Sequence, residues 1–185
     1  MRPLGLLLCS AGLVGLAVAP ARATDTLDHD GWQRVDSQYC TLWFDPAVTP
    51  EQVNRRVSVW WIRPQVSAPR GASLEEQIGA KCDTIFKRVE EVLDMHPPGV
   101  HVTVLVARTQ SQISHVHQAR YGQSTDSDAF YIFENNTIYA SYPELSESVL
   151  AHEMAHSIID HYFGTRPPRK IEEMLAIYAD ENLRN

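Results

Sequence analysis

The chain has 185 residues, of which 44% are hydrophobic and 21% are charged, and this length and composition fit one globular domain. Ordinary glycine and proline contents exclude collagen-like and disordered classes. A formal net charge of −7 argues against a nucleic-acid partner, because proteins that bind nucleic acids normally carry a basic surplus.

Residues 1–23 have the pattern of a secretory signal peptide. Arg2 supplies a positive charge, residues 4–19 form an apolar run, and residues 21–23 (Ala-Arg-Ala) form a small-x-small cleavage site. The apolar run is short for a membrane span, and no stop-transfer charges follow it. We therefore predict a signal peptide followed by one domain at 24–185, which is periplasmic or secreted and is not an integral membrane protein.

The first half of this domain is predicted to contain two strands and two helices. Apolar and aromatic residues favour a strand at 39–44, and strict alternation of valines favours a second strand at 100–106. Helices are expected at 50–62 and 74–95, each preceded by a capping threonine or serine. Residues 24–37 are polar, show little periodicity and are assigned no element.

The second half is predicted to contain a hairpin and three helices. A weakly amphipathic helix covers 109–121, and strands at 129–134 and 137–142 flank an Asn-Asn dipeptide. Asparagine tolerates positive φ, so a tight hairpin is expected there. A helix at 146–163 and a last helix at 170–184 follow, separated by a turn that contains two prolines.

Two cysteines, Cys40 and Cys82, remain after the predicted cleavage. In an exported protein, such a pair is more often a disulfide than a metal or catalytic site. A bridge would fasten the long helix to the first strand, with a purely structural role. Two free, buried thiols are the alternative.

Residues 152–156 (His-Glu-Met-Ala-His) form an H-E-x-x-H motif inside a predicted helix. Residues four positions apart share a helical face, with side chains about 5–6 Å apart, so His152 and His156 can bind one zinc ion. Glu153 lies about 100° further round the helix, where it can take a proton from a zinc-activated water. A catalytic zinc has three protein ligands and one open position, so another residue must supply the third ligand.

Two nearby residues are poor candidates for this third ligand. His161 projects about 180° away from His152 on an ideal helix. Asp160 lies about 12 Å along the axis from His152, which is too far for a shared tetrahedral ion. We interpret Asp160 as a residue that orients His156 or, with better support, as a solvated acid.

Two glutamates at the start of the last helix, Glu172 and Glu173, are the better candidates. The turn before them lets the last helix fold back against the H-E-x-x-H helix. The apolar stripe of the last helix is expected to be Ile171, Met174, Leu175 and Tyr178. Glu172 flanks this stripe and is slightly favoured by periodicity, but packing on two sides would remove that preference, so both residues remain open.

The H-E-x-x-H helix followed by residues 173–178 (E-M-L-A-I-Y) resembles the gluzincin, or peptidase-MA-like, zinc metallopeptidases. Their second motif has the form E-G-(F/L)-A-x-Y, in which the glutamate binds zinc. Ala176 and Tyr178 fall at matching offsets only if Glu173 is the ligand, while a methionine replaces the usual glycine. The resemblance covers about residues 146–184. It implies an α+β, zincin-like fold, in which a small mixed sheet with an edge hairpin packs on the H-E-x-x-H helix and a following ligand helix.

The resemblance also implies a function. The chain is expected to be an exported zinc-dependent metallopeptidase that hydrolyses peptide bonds in a peptide or protein substrate, with Zn²⁺ as cofactor. Zinc would be held by His152, His156 and Glu173, and Glu153 would act as the general base.

The group also suggests where a substrate lies. An edge strand beside the active site pairs with extended substrate, and either 129–134 or 137–142 could be that strand. A donor for the oxyanion is also needed, and the group usually takes it from a larger C-terminal part. The tyrosines of this chain that could supply it are Tyr142, Tyr162 and Tyr178.

Two other interpretations of the motif remain. A zinc-containing module of the same fold could bind peptides or envelope components without cutting them. Alternatively, the motif could occur by chance in a metal-free structural domain. Zinc content and the effect of chelators on stability would separate these interpretations.

Overall fold

The computed structural model describes residues 27–62 and 65–185. These residues contain five α-helices and one five-stranded mixed sheet, so the α+β class predicted from the sequence is confirmed at this level. The predicted signal peptide at 1–23 lies outside the described residues. Within the described ranges, no helix is both long enough and apolar enough to cross a membrane.

Strands and helices are interleaved along the chain. The strands are β1 (Gln33–Asp36), β2 (Cys40–Phe44), β3 (Val102–Ala107), β4 (Ala129–Ile132) and β5 (Thr137–Ser141). The helices are α1 (Pro50–Arg56), α2 (Leu74–Leu93), α3 (Gln110–Tyr121), α4 (Glu147–Tyr162) and α5 (Arg169–Glu181). Short 3₁₀ turns follow β4 and β5, at Phe133–Asn135 and Tyr142–Glu144.

The sheet has the strand order β1-β2-β3-β5-β4, with parallel pairing in the centre and antiparallel pairing at both sides. β4 is therefore an edge strand, whereas β5 lies between β3 and β4. Of the two strands considered for pairing with a substrate, β4 has the free edge, and β5 cannot take this role because both of its edges are occupied.

The predicted hairpin is present, but its connection is longer than expected. β4 ends at Ile132, which pairs with Thr137 of β5. A 3₁₀ turn follows Ile132, and Asn136 then adopts the left-handed conformation, with φ of 47°. The asparagine therefore supplies the positive φ inferred from the sequence, although within a four-residue connection.

Two hydrophobic clusters lie on opposite faces of the sheet. The larger cluster joins β2 and β3 to α2 and α4, and the smaller cluster lies beneath α3. Successive residues of β3 alternate between the clusters, with Val104 and Val106 in the larger and Leu105 in the smaller. This alternation follows the two-residue period of a strand that is buried on both faces.

β1 was not predicted, because its sequence carries no apolar alternation. It is held by antiparallel pairing with β2 and by a carboxylate of the long helix α2. Asp83 of α2 accepts hydrogen bonds from the Ser37 hydroxyl at 2.8 Å and from the backbone N–H of Tyr39 at 2.9 Å. Gly79 permits this close approach, since an added Cβ would lie 3.0 Å from the Ser37 Cβ.

α1 ends at Arg56 rather than near residue 62, while α2 matches its predicted range closely. Val57, directly after α1, has an extended backbone. Lys81 of α2 donates a hydrogen bond to the Val57 carbonyl at 2.8 Å and also contacts the Asn54 carbonyl. A lysine from another helix thus satisfies carbonyl groups at the C-terminal end of α1. A local sequence pattern does not reveal such a contact.

The predicted disulfide between Cys40 and Cys82 is not formed. Both cysteines are free thiols, fully buried in the larger hydrophobic cluster. Burial raises the pKa of Cys82 to about 12 and also raises the pKa of Cys40, so both remain protonated at neutral pH. They pack as small apolar residues, which was the alternative considered from the sequence.

Candidate metal centre

α4 carries the H-E-x-x-H motif on a helix that is buried on most of its surface. Ser146 caps it by accepting a hydrogen bond from the backbone N–H of Val149 at 3.2 Å. Its fully buried apolar residues are Leu150, Ala151, Met154, Ala155, Ile158 and Ile159. His152 and His156 remain partly accessible, with side chains 26% and 12% exposed. The helix thus presents both imidazoles at a surface strip while its other sides are fixed by packing.

α5 brings Glu173 to these two imidazoles. The Glu173 Oε2 atom lies 3.7 Å from His152 Nε2 and 3.9 Å from His156 Nε2. The two imidazole rings are 5.1 Å apart at their centroids and nearly perpendicular. One donor atom from each of the three residues can be chosen so that all lie within 4.8 Å of one another.

The donor set fits a zinc ion. Ligand atoms at about 2.0–2.2 Å from a tetrahedral metal lie about 3.3–3.6 Å from one another. The two distances to Glu173 are a few tenths of an ångström longer, so small movements of this side chain would bring its oxygen to ligand distance. Two imidazole nitrogens and one carboxylate oxygen form a ligand set typical of catalytic zinc.

His156 is held in the form that binds metals. Burial, reinforced by the neighbouring His152, lowers the pKa of His156 to about 4. The ring is therefore neutral at pH 7, and one nitrogen keeps a free lone pair. Metal binding at this residue requires no loss of a proton.

Glu153 lies on the inner side of the site. It is buried, and the backbone N–H of Tyr131 in strand β4 donates a hydrogen bond to its carboxyl group. Burial and the nearby Glu173 carboxylate raise the pKa of Glu153 to about 8. The edge strand thus contacts the residue predicted to be the general base.

Glu172, the other candidate ligand, pairs with Arg166 rather than with the histidines. It is buried against Arg166, whose Nε atom donates a hydrogen bond to Glu172 Oε1 at 2.8 Å. The Arg166 Nε atom also lies 3.1 Å from Oδ1 of Asp160. Of the two adjacent glutamates, Glu173 is therefore the one that the fold directs to His152 and His156.

The interpretation of Asp160 as a solvated acid is wrong. Its side chain is 1% exposed and forms an ion pair with Arg166 in the connection between α4 and α5. Burial, opposed by Arg166 and assisted by the neighbouring Glu172, raises the pKa of Asp160 to about 6. No local pattern indicates this pair, because Arg166 lies in a turn without periodicity.

The expected buried stripe of α5 is also wrong. Of its four residues, Ile171, Met174 and Tyr178 are exposed, and Leu175 is partly buried against the larger hydrophobic cluster. The buried residues of the helix are Glu172, Ala176 and Ala179. α5 packs its small residues closely against α4, and most of its larger apolar residues are exposed. The predicted apolar stripe is therefore not the buried face, and the slight preference for Glu172 that rested on it has no basis in the fold. The fold brings Glu173 to the histidines.

Tyr131 is a residue of the site that the sequence did not single out. Its ring lies parallel to that of His156, with centroids 6.5 Å apart, and its hydroxyl donates a hydrogen bond to Asn136. The three tyrosines proposed as oxyanion donors are placed differently: Tyr162 and Tyr178 are about half exposed, and Tyr142 lies under Arg56. Within the described ranges, none of these three forms a hydrogen bond or a ring contact with the histidines or Glu173.

No protein-family model matches this sequence, and comparisons with curated proteins and with solved structures gave no significant match.

Proposed function

We propose that this protein is an exported, zinc-dependent metallopeptidase with a zincin-like fold. The observation that carries the proposal is the convergence of His152, His156 and Glu173, whose donor atoms lie within 4.8 Å of one another on two helices. Export is supported by the sequence pattern of residues 1–23.

The charge and protonation of the site support metal binding. His156 is neutral at pH 7, and Glu173 supplies a carboxylate that is partly accessible to solvent. Partial exposure of both imidazoles leaves a route by which an ion and a substrate can approach. When bound, zinc would supply a Lewis acid for the attacking water and for the carbonyl of the scissile bond.

In this proposal Glu153 moves the proton. Its carboxylate takes a proton from the attacking water and delivers it to the nitrogen of the leaving amine. The hydrogen bond from the Tyr131 N–H orients the carboxyl group, and burial keeps bulk water away from it. A nearby cation favours the ionised form of Glu153, so an occupied metal site would provide the base that the step requires.

We further propose that β4 aligns the substrate. It is the edge strand next to α4, and the resemblance to gluzincins suggests that an extended peptide adds to such an edge. Tyr131 joins this edge to the site through its contacts with Glu153 and His156. The substrate class is therefore a peptide or a protein segment in extended conformation.

The test starts with zinc content of the purified protein, residues 24–185, and of its Glu173→Ala variant. We expect about one zinc per chain in the parent and a large reduction in Glu173→Ala, because two imidazoles alone hold zinc weakly. Glu181→Ala, an exposed glutamate on the same helix, is the matched control and should retain its zinc. No zinc in the parent after incubation with excess metal would refute the proposal.

Hydrolysis is tested separately with Glu153→Gln. This variant should keep zinc but lose cleavage of a broad peptide library, since glutamine cannot accept the proton. An active Glu153→Gln protein would contradict the mechanism. Full zinc occupancy without any cleavage by the parent would instead identify the protein as a binding module of the same fold.

A further inference from the structure

The connection between α4 and α5 places one arginine against two buried carboxylates. Arg166 Nε lies 3.1 Å from Asp160 Oδ1 on α4 and 2.8 Å from Glu172 Oε1 on α5. Both carboxylates are almost fully buried, whereas the arginine side chain is 51% exposed. One cation therefore joins the two helices that carry the candidate zinc ligands.

This arginine offsets charge that the two helices would otherwise leave buried. Among the described residues, Arg166 is the cation within ion-pair distance of Asp160 and of Glu172. Neither carboxylate oxygen of Asp160 accepts a hydrogen bond from the described residues. The ion pair with Arg166 is therefore the main compensation for burying this carboxylate. Removing one partner of a buried ion pair leaves an uncompensated charge, and here two carboxylates would also repel each other.

The ion-paired carboxylates lie next to the candidate metal ligands along both helices. Asp160 is one turn beyond His156 on α4, and Glu172 directly precedes Glu173 on α5. A separation of α5 from α4 at this point would therefore move Glu173 away from the histidines. The exposed Arg169, with its Nε 3.8 Å from Glu173 Oε1, is a much weaker restraint on that carboxylate.

We propose that Arg166 is a positioning residue of the zinc site, which holds α5 against α4 so that Glu173 stays within reach of His152 and His156. This inference rests on the proposed function, because it presumes that the three residues bind zinc. Arg166 itself would touch neither metal nor substrate. It would act by neutralising Asp160 and Glu172 and by bridging their carboxylates through the Nε atom of its planar guanidinium group, where the two helices meet.

The other end of the helix pair offers a matched control. Arg184, which follows α5, pairs with Glu147 at the start of α4 at 3.2 Å and lies over the ring of Trp61. Arg184→Met therefore removes the same type of side chain and an ion pair to the same helix. Glu147 precedes His152 by more than one helical turn, so this change should not displace Glu173.

The experiment measures zinc affinity by competition with a chromophoric chelator, starting from metal-free proteins. Arg166→Met should bind zinc roughly 10–100-fold more weakly than the parent, as is typical when residues that orient metal ligands are lost. Arg184→Met should stay within about twofold of the parent. Adding Asp160→Asn to Arg166→Met should recover much of the affinity, because it removes one of the two uncompensated carboxylates.

A second readout needs no metal. Amide hydrogen exchange in metal-free Arg166→Met should be faster in α5 than in the parent, while the amides of α2 stay protected. If Arg166→Met cannot be purified, Arg166→Lys decides the question, because lysine keeps the positive charge but lacks the planar guanidinium group. A measurable loss of zinc affinity in Arg166→Lys, absent from Arg184→Met, would support the proposal.

Parental zinc affinity in Arg166→Met, or in Arg166→Lys where that variant decides, would overturn this inference and leave the proposed function intact. An equal loss of affinity in Arg184→Met would also overturn it, since the effect would then reflect general stability. Absence of zinc binding in the parent would refute both the proposed function and this inference.

Discussion

Asp160 shows how a single carboxyl group can make the stability of this protein depend on pH. It is buried between α4 and α5, and the charged or titratable groups around it are Arg166, Glu172, His161 and Tyr131. Burial is the largest influence on its pKa, which is raised from 3.8 to about 6, and Arg166 offsets only part of this effect. The folded protein therefore favours the protonated form more than the unfolded chain does.

The raised pKa of Asp160 adds to the free energy of unfolding below pH 3.8, and this contribution is lost as the pH rises to about 6. Asp160→Asn removes this titration. We expect the Tm of metal-free Asp160→Asn, relative to the parent, to increase between pH 4.5 and pH 7 and then to level off. Thermal unfolding monitored by circular dichroism would check this, with the exposed Asp126→Asn as control. A difference in Tm that is flat or that falls with pH would contradict the prediction.

The raised pKa of Glu153 predicts that zinc binding releases a proton from this residue. Its pKa of about 8 means that most metal-free molecules hold this proton at pH 7. His156, with a pKa of about 4, holds none at that pH. A bound cation favours the carboxylate form of Glu153, so zinc binding should expel the proton.

Calorimetric zinc titrations at pH 7, in buffers with different ionisation enthalpies, count the protons released. Glu153→Gln should release roughly one proton fewer than the parent, because glutamine does not titrate. Glu181→Gln, an exposed change on α5, should release the same number as the parent. Equal proton release by the parent and Glu153→Gln would contradict the prediction, because it would mean that zinc binding does not change the protonation of Glu153.

At the scale of elements, α5 is the helix whose packing differs most from its sequence pattern. Its buried face consists of Glu172, Ala176 and Ala179, and most of its larger apolar side chains are exposed. Close approach of α5 to α4 requires small residues at the contact, and hydrophobicity alone does not report this requirement. The adjacent residues Tyr178 and Ala179 therefore have opposite environments, with exposures of 51% and 0%.

Substitutions at these two positions test the orientation of α5. Ala179→Met should lower the free energy of unfolding by about 1–3 kcal/mol, because a larger side chain does not fit the packed contact with α4. Tyr178→Gln should change it by less than about 1 kcal/mol, as is usual for exposed positions. Urea unfolding at one pH would measure both. A larger loss for Tyr178→Gln than for Ala179→Met would mean that α5 packs through its apolar stripe.

The features that could be predicted from the sequence are those that local residues determine. α2 has its own cap at Ser73 and a regular apolar stripe, and the H-E-x-x-H motif fixes the spacing of His152 and His156 along one helix. β1 and the ion pair of Asp160 depend on residues distant in sequence or in an irregular turn. Their partners, Asp83 and Arg166, become recognisable only when the fold brings them into contact.

In the molecule as a whole, the candidate site lies between elements that differ in how much of their surface packs against the rest of the fold. α4 is buried on most sides and holds both histidines and Glu153, while β4 belongs to the sheet. α5 packs through one face only and contributes Glu173. A metal ion held by both helices would therefore act as a cross-link between a well-anchored element and a less anchored one.

Zinc should consequently stabilise the entire domain and protect α5 in particular. At free zinc about 100-fold above the Kd, the free energy of unfolding should rise by about 2.7 kcal/mol. For a domain of this size the increase corresponds to roughly 5–10 °C in Tm. Amide exchange in α5 should slow more than exchange in α2, because Glu173 ties α5 to the histidines of α4.

The zinc-dependent rise in Tm should disappear in Glu173→Ala and should be reversed in the parent by a chelator. An equal rise in Glu173→Ala would place the stabilising zinc elsewhere on the molecule.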